Sequence, residues 1–339
     1  MHLLIIGGSD AGVSAALRAR ELDPSVEVTM VVADEYPNFS ICGLPYYLSG
    51  ETPDWRDLAH RKEFPRINVL RRSVAEEIDA GNKTVLIRDA SGEKIHRYDR
   101  LVVATGAQPI RPALPGNDLD GVFVLHSMDD SFAVHDFLAD RAPKKVVLVG
   151  AGYIGLEMAD ALTQRGLEVT LLSRSPTALP TVDPALGRLV EEELARHGVR
   201  VLTGVSAHAV EANANNSAAR LRVVDSNGQR HLADMVLFAV GVHPNVDLAS
   251  RAGARLGFNG AISVTRQMRT NLPDVYAAGD CVETYHRLLD RKTYISLGTI
   301  AHKQGRVAGE NAIGGERQFA GAMGTQSIKV FELAVARTG

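Results

Sequence analysis

Cys42 is one of only two cysteines in the chain, and it lies in Asn38-Phe39-Ser40-Ile41-Cys42-Gly43-Leu44-Pro45-Tyr46-Tyr47. Glycine and proline just after the thiol predict a turn into a short helix, whose N-terminal dipole would favour the thiolate. A free thiol titrates at about 8.5, so a modest downward push makes it a nucleophile near neutral pH. The competing reading is an inert buried cysteine, since free cysteine is among the most buried residue types.

Two other stretches have spacing that does chemistry. The apolar run 2–6 ends in Gly7-Gly8-Ser9-Asp10-Ala11-Gly12, and a helical pattern follows over 13–22. Strand, glycine turn and helix is the context in which a G-x-G-x-x-G motif holds a dinucleotide pyrophosphate on a helix N-terminus. Here the middle glycine is Ser9. The next strand, 27–32, should carry an acid for the adenosine ribose, and Asp34 or Glu35 stands just past it. The second stretch repeats the theme with all glycines in place: strand 145–149, then Gly150-Ala151-Gly152-Tyr153-Ile154-Gly155, then a helix to about Arg165. At the end of strand 168–172 the ribose position holds Ser173-Arg174 in place of an acid. A hydroxyl beside a guanidinium suits a 2′-phosphate, so the sequence favours NADPH, with NADH the alternative.

These residues need elements to hold them. At 339 residues the chain is too long for one core and predicts two domains. Hydrophobic residues make up 45% and charged residues 23%, ordinary for a soluble globular protein. The net charge of -3 gives no electrostatic reason to expect nucleic acid or an anionic membrane as partner. Cys42 and Cys281 make neither a disulfide framework nor a structural zinc site, and no stretch has metal-ligand spacing. The chain starts directly with an apolar strand, without a basic leader or long apolar run, so it reads as cytoplasmic.

The remaining stretches supply buried strands and turns. Residues 59–66 read as a solvated basic face, or as a landing site for an anionic substrate. Alternation over 73–78, which includes Val74, and over 84–89 predicts strands, with 90–93 as the connecting turn. A buried strand from Arg100 ends in Ala104-Thr105-Gly106, and 108–115 reads as a linker. A strand over 234–240 leaves through Gly241, and another over 274–281 ends in Ala278-Gly279-Asp280-Cys281. The helix beginning near 297 carries Ala301, His302 and Lys303, and its positive end could face a flavin's electron-rich edge, while His302 and Lys303 read as solvated.

Taken in order, the motif at 7–12, Ala104-Thr105-Gly106, the G-x-G-Y-I-G-L-E of 150–157 and Ala278-Gly279-Asp280 resemble the FAD-dependent pyridine nucleotide-disulfide oxidoreductases over essentially the whole chain. The resemblance implies an α/β fold with two Rossmann-like dinucleotide-binding domains. Residues 1–112 and 247–321 would bind FAD and 113–246 NAD(P), while 322–339 would open a C-terminal dimerisation domain that is missing or only begun. It also implies a homodimer for the full-length chain. Asp280 would bind the flavin ribityl chain, Tyr153 would gate the nicotinamide pocket and Glu157 would lie beside the flavin. Ser40, Val74, Ile154, Gly241 and Ala301 join the cofactor-binding set on the same ground.

Dithiol members of that family use C-x-x-x-x-C, and here the second position is Tyr47, which excludes an internal redox disulfide built on Cys42. The stretch 39–46 is similar to the single-cysteine branch, which holds coenzyme A disulfide reductases, persulfide reductases, NADH oxidases and NADH peroxidases. Coenzyme A disulfide reductases often carry Asn before the cysteine, where this chain has Ile41. The oxidases and peroxidases commonly carry histidine where it has Asp10. The expectation is a flavoprotein in which NADPH, through FAD, serves a Cys42 that reduces a small-molecule disulfide or persulfide. Its rivals are an oxidase or peroxidase cycling a Cys42 sulfenic acid, an electron-transfer reductase for an iron-sulfur protein, and a redox sensor. Cys281 is expected to be structural. Residues 324–339 alternate like a strand and stop, which predicts a truncated chain or an unusually open site.

Overall fold

The computed structural model describes residues 1–213 and 219–339. Two five-stranded sheets, parallel throughout, organise the chain. The first runs Val275–Ala277, Arg100–Val103, His2–Ile6, Glu27–Val31, Asn68–Leu70. The second runs Arg200–Thr203, Glu168–Ser173, Lys145–Val149, Met235–Phe238, Val122–Val124. Continuous apolar runs fill both because parallel strands are covered on both faces: Leu3, Leu4 and Ile5, like Val147 and Leu148, have no exposed surface.

The sheets share a topology. In each, the strand before the glycine turn pairs with the next strand and with the fourth, and an antiparallel three-stranded sheet is inserted between the third and fourth. Those insertions are Val74–Asp79, Thr84–Asp89, Gly92–Arg97 and Ala207–Ala212, Leu221–Asp225, Arg230–Ala233. The fifth strand of the first sheet, Val275–Ala277, follows the second sheet in sequence, and that of the second, Val122–Val124, precedes its other four strands.

Several elements differ from the sequence reading. The first helix is Asp10–Leu22, starting three residues early, so the end of the glycine motif forms its first turn. Residues after 90 form a third strand, Gly92–Arg97, whose charged and exposed side chains hide its pairing with Thr84–Asp89. The linker is partly ordered: Ala107–Pro109 pairs antiparallel with Val242–Pro244, so the two crossings between the sheets are hydrogen-bonded to each other. Residues 326–337 form a hairpin of two strands, Gln326–Val330 and Leu333–Arg337. Its Ile328, Val330, Phe331 and Val335 are buried in the core that includes Leu156 and Ala159 of helix Tyr153–Gln164 and Val190 and Leu194 of helix Pro184–Arg196. No described helix is long and apolar enough to cross a membrane.

Candidate functional site

The first crevice is built by close backbone approach. Gly7 has φ 120°, and a Cβ there would strike the Ala104 carbonyl; a Cβ on Gly12 would strike the Gly7 carbonyl. The second motif repeats both contacts, with Gly150 against the Ala239 carbonyl and Gly155 against the Gly150 carbonyl. Ser9 caps its helix at φ -99°, ψ -162°, and Gly152 caps the second at φ -84°, ψ -172°. Serine therefore replaces the middle glycine at no backbone cost. Gly8 packs so closely on Val32 that no Cβ fits.

Helix Asp10–Leu22 crosses helix Gly298–Ala312 through Ala11 and Ala15, whose carbonyls leave no room for a Cβ on Gly305 or Gly309. The crossing brings two helix N-termini together. Asp10 stands between them, its carboxylate against Gly298. Burial pushes the Asp10 carboxyl up, and His60 and then His302 oppose the shift. His302 and Lys303 are exposed, and His302 still reaches Asp10 electrostatically. The other predicted residues line up around the same crevice. Gly279 packs against Ala11 and Ala301 and donates its N–H to Gln304 at 2.9 Å. Asp34 is half-buried, with its side chain accepting the Tyr36 N–H at 2.8 Å, while Glu35 pairs with Arg71 and Arg72. Asp34 is thus the acid left at the strand end, and Val74 follows Ser73, whose N–H donates to the Val32 carbonyl at 2.9 Å. Thr105 Oγ1 donates to the Asn245 carbonyl at 2.6 Å, and the Asn245 N–H donates to the Gly106 carbonyl at 3.0 Å, tying this turn to the second crossing. The donor set, two convergent helix N-termini above glycines with no room for side chains, fits a dinucleotide pyrophosphate.

Cys42 occupies a 3-10 turn, Ile41–Gly43, before helix Leu44–Ser49, as its flanking glycine and proline predict. Its thiol is open to solvent. The expectation of a dipole-stabilised thiolate is not met. Burial among the surrounding protein pushes the thiol up, and Glu157, Asp10 and Asp280 add negative charge in that order. Burial, then Asp160, pushes Glu157 up to about 7. Burial, then Asp10, pushes Asp280 up to about 6 against the Leu297 N–H. The structure therefore brings Cys42, Asp10, Asp280 and Glu157, from four distant parts of the chain, to one place. Ser40 caps the Cys42 turn. Cys281 has no exposed surface, and its sulfur faces the Ala278 carbonyl at 3.4 Å, in keeping with a structural thiol.

In the second crevice Tyr153 and Ile154 open helix Tyr153–Gln164 and are half-buried. Ser173 is buried at its strand end, and Arg174 is exposed and makes no ion pair among the described residues. Gly241 accepts from the Ile110 N–H at 2.9 Å beside the paired crossings. Residues 60–63 and 66 are exposed.

Sequence reasoning passed over Asp160, which acts on Glu157 from one helical turn away, and Tyr294, whose hydroxyl donates to the Asp280 carbonyl at 2.9 Å. The i, i+3 spacing of Glu157 and Asp160 was the available signal for the first. The sequence also showed no metal spacing, whereas Glu193, His197 and Glu332 bring ligand atoms within 4.8 Å of one another. Glu332 is too far along the chain for spacing to reveal this, and Arg196 already pairs with Glu193.

A family model described as pyridine nucleotide-disulphide oxidoreductase matches residues 1–305. The chain is 36% identical to a CoA-dependent NAD(P)H sulfur oxidoreductase of Pyrococcus furiosus, covering 99% of this chain and 76% of the relative. It is 33% identical to an NADH oxidase of Methanocaldococcus jannaschii, covering 100% of this chain and 76% of the relative. Among solved structures, an NAD-dependent persulfide reductase from A. fulgidus superposes with a TM-score of 0.94 at 36% identity. That match takes in all of this chain and 64% of the reductase.

Proposed function

The chain belongs to the pyridine nucleotide-disulphide oxidoreductase family, and on that premise we propose an NAD(P)H-dependent flavoprotein that reduces a small-molecule disulfide or persulfide of the coenzyme A type at Cys42. The observation that carries the reading is the exposed Cys42 thiol at the meeting of the two glycine-turn crevices, under the electrostatic reach of Asp10 and Asp280 from one and Glu157 from the other.

FAD would be held by Gly7, Gly8, Ala11, Gly12, Asp34, Ala104, Thr105, Gly106, Gly279 and Asp280, and when bound it supplies two-electron transfer between the nicotinamide and the thiol. The nicotinamide cofactor would lie on Gly150, Gly152 and Gly155, with Ser173 and Arg174 beside a 2′-phosphate, which makes NADPH the preferred donor. Cys42 as thiolate attacks one sulfur of the substrate; the S–S bond breaks, one half leaves as a thiolate that takes a proton from water, and the other stays on Cys42 as a mixed disulfide. The sequence domains, two FAD segments flanking an NAD(P) segment, agree in this reading with the order in which the two sheets draw their strands.

The test is NADPH and NADH consumption by the FAD-loaded protein with coenzyme A disulfide, coenzyme A persulfide, hydrogen peroxide and oxygen, for wild type and Cys42→Ser. Turnover of a disulfide or persulfide that Cys42→Ser abolishes, with FAD still bound and still reduced by NADPH, is the expected result. Unchanged disulfide turnover in Cys42→Ser would overturn the reading in favour of electron transfer to a protein acceptor. Preferential consumption with peroxide or oxygen would move it to the oxidase chemistry named for the M. jannaschii relative.

A further inference from the structure

Asp280 stands in the turn that leaves the strand Val275–Ala277, and that turn is held from outside its own sequence. Gly279 has φ 88°, a left-handed conformation, and a Cβ there would come within 2.8 Å of the Ala11 Cβ. Main-chain partners hold part of the turn: the Ala278 N–H donates to the Val103 carbonyl at 3.0 Å, the Val282 N–H to Gly279 at 3.0 Å and the Ile262 N–H to Cys281 at 2.8 Å. Two groups flanking the Gly279–Asp280 peptide meet side chains instead. The Gly279 N–H donates to Gln304 Oε1 at 2.9 Å, and the Asp280 carbonyl accepts from the Tyr294 hydroxyl at 2.9 Å.

Those two side chains are themselves joined. Gln304, on helix Gly298–Ala312, has no exposed surface, and its Nε2 donates to Thr284 Oγ1 at 3.1 Å. A backbone N–H can only donate, so the Gln304 oxygen faces Gly279 and its NH2 group faces Thr284. Thr284 opens the strand Thr284–His286, which pairs antiparallel with Arg291–Thr293. Thr284 lies opposite Thr293, whose hydroxyl donates to the Thr284 carbonyl at 3.2 Å, and Tyr294 is the next residue. A closed ring therefore runs from Gly279 through Gln304, Thr284, Thr293 and Tyr294 back to Asp280.

We propose that Gln304, Thr284 and Tyr294 are positioning residues that hold the Asp280 carboxylate in place to bind FAD. The proposal deepens the function proposed above and rests on it for FAD as the ligand of the first crevice. The reason for a ring lies in the glycine. Close approach to Ala11 demands Gly279, and glycine is also the residue that resists backbone rotation least. Burial and the like charge of Asp10 disfavour an ionised Asp280 where it stands, with the Leu297 N–H opposing them. Rotation about Gly279 would relieve both by swinging the acid out to water. Fixing the N–H before the peptide and the carbonyl after it blocks that rotation, and a buried network with every member paired is rigid.

The test is FAD affinity, read from flavin fluorescence released on dilution of the loaded protein, for wild type, Gln304→Met, Tyr294→Phe, Thr284→Val and Thr284→Ser, and for each again with Asp280→Ala. Methionine fills the space of glutamine without its amide and leaves the buried Gly279 N–H unpaired. Gln304→Met and Tyr294→Phe should each weaken FAD binding about tenfold, and Thr284→Val about threefold. Thr284→Ser keeps the hydroxyl and should bind FAD as wild type does. With Asp280→Ala in place, the same substitutions should change the affinity by less than about twofold, because the carboxylate through which they act is gone. Equal losses in both backgrounds would show that the ring only stabilises the fold, and would overturn the proposal. Wild-type affinity in both Tyr294→Phe and Thr284→Val would overturn it too, and those two variants, each lacking one hydroxyl, decide the matter even where Gln304→Met fails to fold. FAD binding needs no disulfide. Wild type that binds FAD but reduces no disulfide or persulfide would sink the proposed substrate and leave the ring standing, whereas wild type that takes up no FAD would overturn both.

Discussion

Glu157 is a carboxyl that folding makes harder to ionise, from an ordinary 4.5 up to about 7. The folded chain therefore binds more protons here than the unfolded chain between those values, and stability falls as pH rises through that window. Glu157→Gln removes the charge without changing shape. Its melting temperature should exceed that of wild type at pH 8, and the gap should close below pH 4.5, where the glutamate is neutral in the folded and the unfolded chain alike. A constant gap across that range would mean that the substitution acts through packing. Arg174 is the other residue whose role can be isolated, because it is exposed and makes no ion pair among the described residues. Arg174→Ala should lower kcat/KM for NADPH by about tenfold, the loss of one charge-assisted contact to a 2′-phosphate, while leaving NADH nearly unchanged. Equal losses with both cofactors would remove the argument for NADPH.

The glycine turns show why some elements can be read from sequence and others cannot. Gly12 answers to the Gly7 carbonyl within one strand, turn and helix, so its requirement is written locally, whereas Gly7 answers to Ala104 at the end of a distant strand; the mismatch at Ser9 is harmless because that position caps the helix in ordinary extended backbone. Gly12→Ala should strip FAD from the purified protein and lower its melting temperature, since the new methyl would meet the Gly7 carbonyl. Ser9→Gly should leave FAD content unchanged. Comparable FAD loss in both variants would show that the serine hydroxyl, not the turn, holds the cofactor. The strand Gly92–Arg97 escaped notice because an exposed, charged edge carries no alternation. The depressed thiol expected at Cys42 failed for a related reason: a dipole can be inferred from a local turn, whereas Glu157, Asp10 and Asp280 arrive from elsewhere in the chain.

At the scale of the whole molecule, the repeated sheet topology was foreshadowed by the two glycine motifs, but the contacts that join the halves were not. The pairing of Ala107–Pro109 with Val242–Pro244 and the clasp of Phe331, His197 and Asp160 link residues more than a hundred positions apart. The hairpin that makes the clasp buries Ile328, Val330, Phe331 and Val335, a gain of about 1.5–3 kcal/mol for each large apolar side chain. Those two helices also pack within the same core without it, so removal of the hairpin should leave helices Tyr153–Gln164 and Pro184–Arg196 folded while uncovering the faces it shields. A chain ending at Gly324 should keep its FAD and most of its melting temperature. It should bind a hydrophobic dye more strongly than the longer chain and show faster amide exchange in those two helices alone. If exchange in both helices is unchanged, the hairpin does not shield them, and the burial of Ile328, Val330, Phe331 and Val335 does not hold those helices closed.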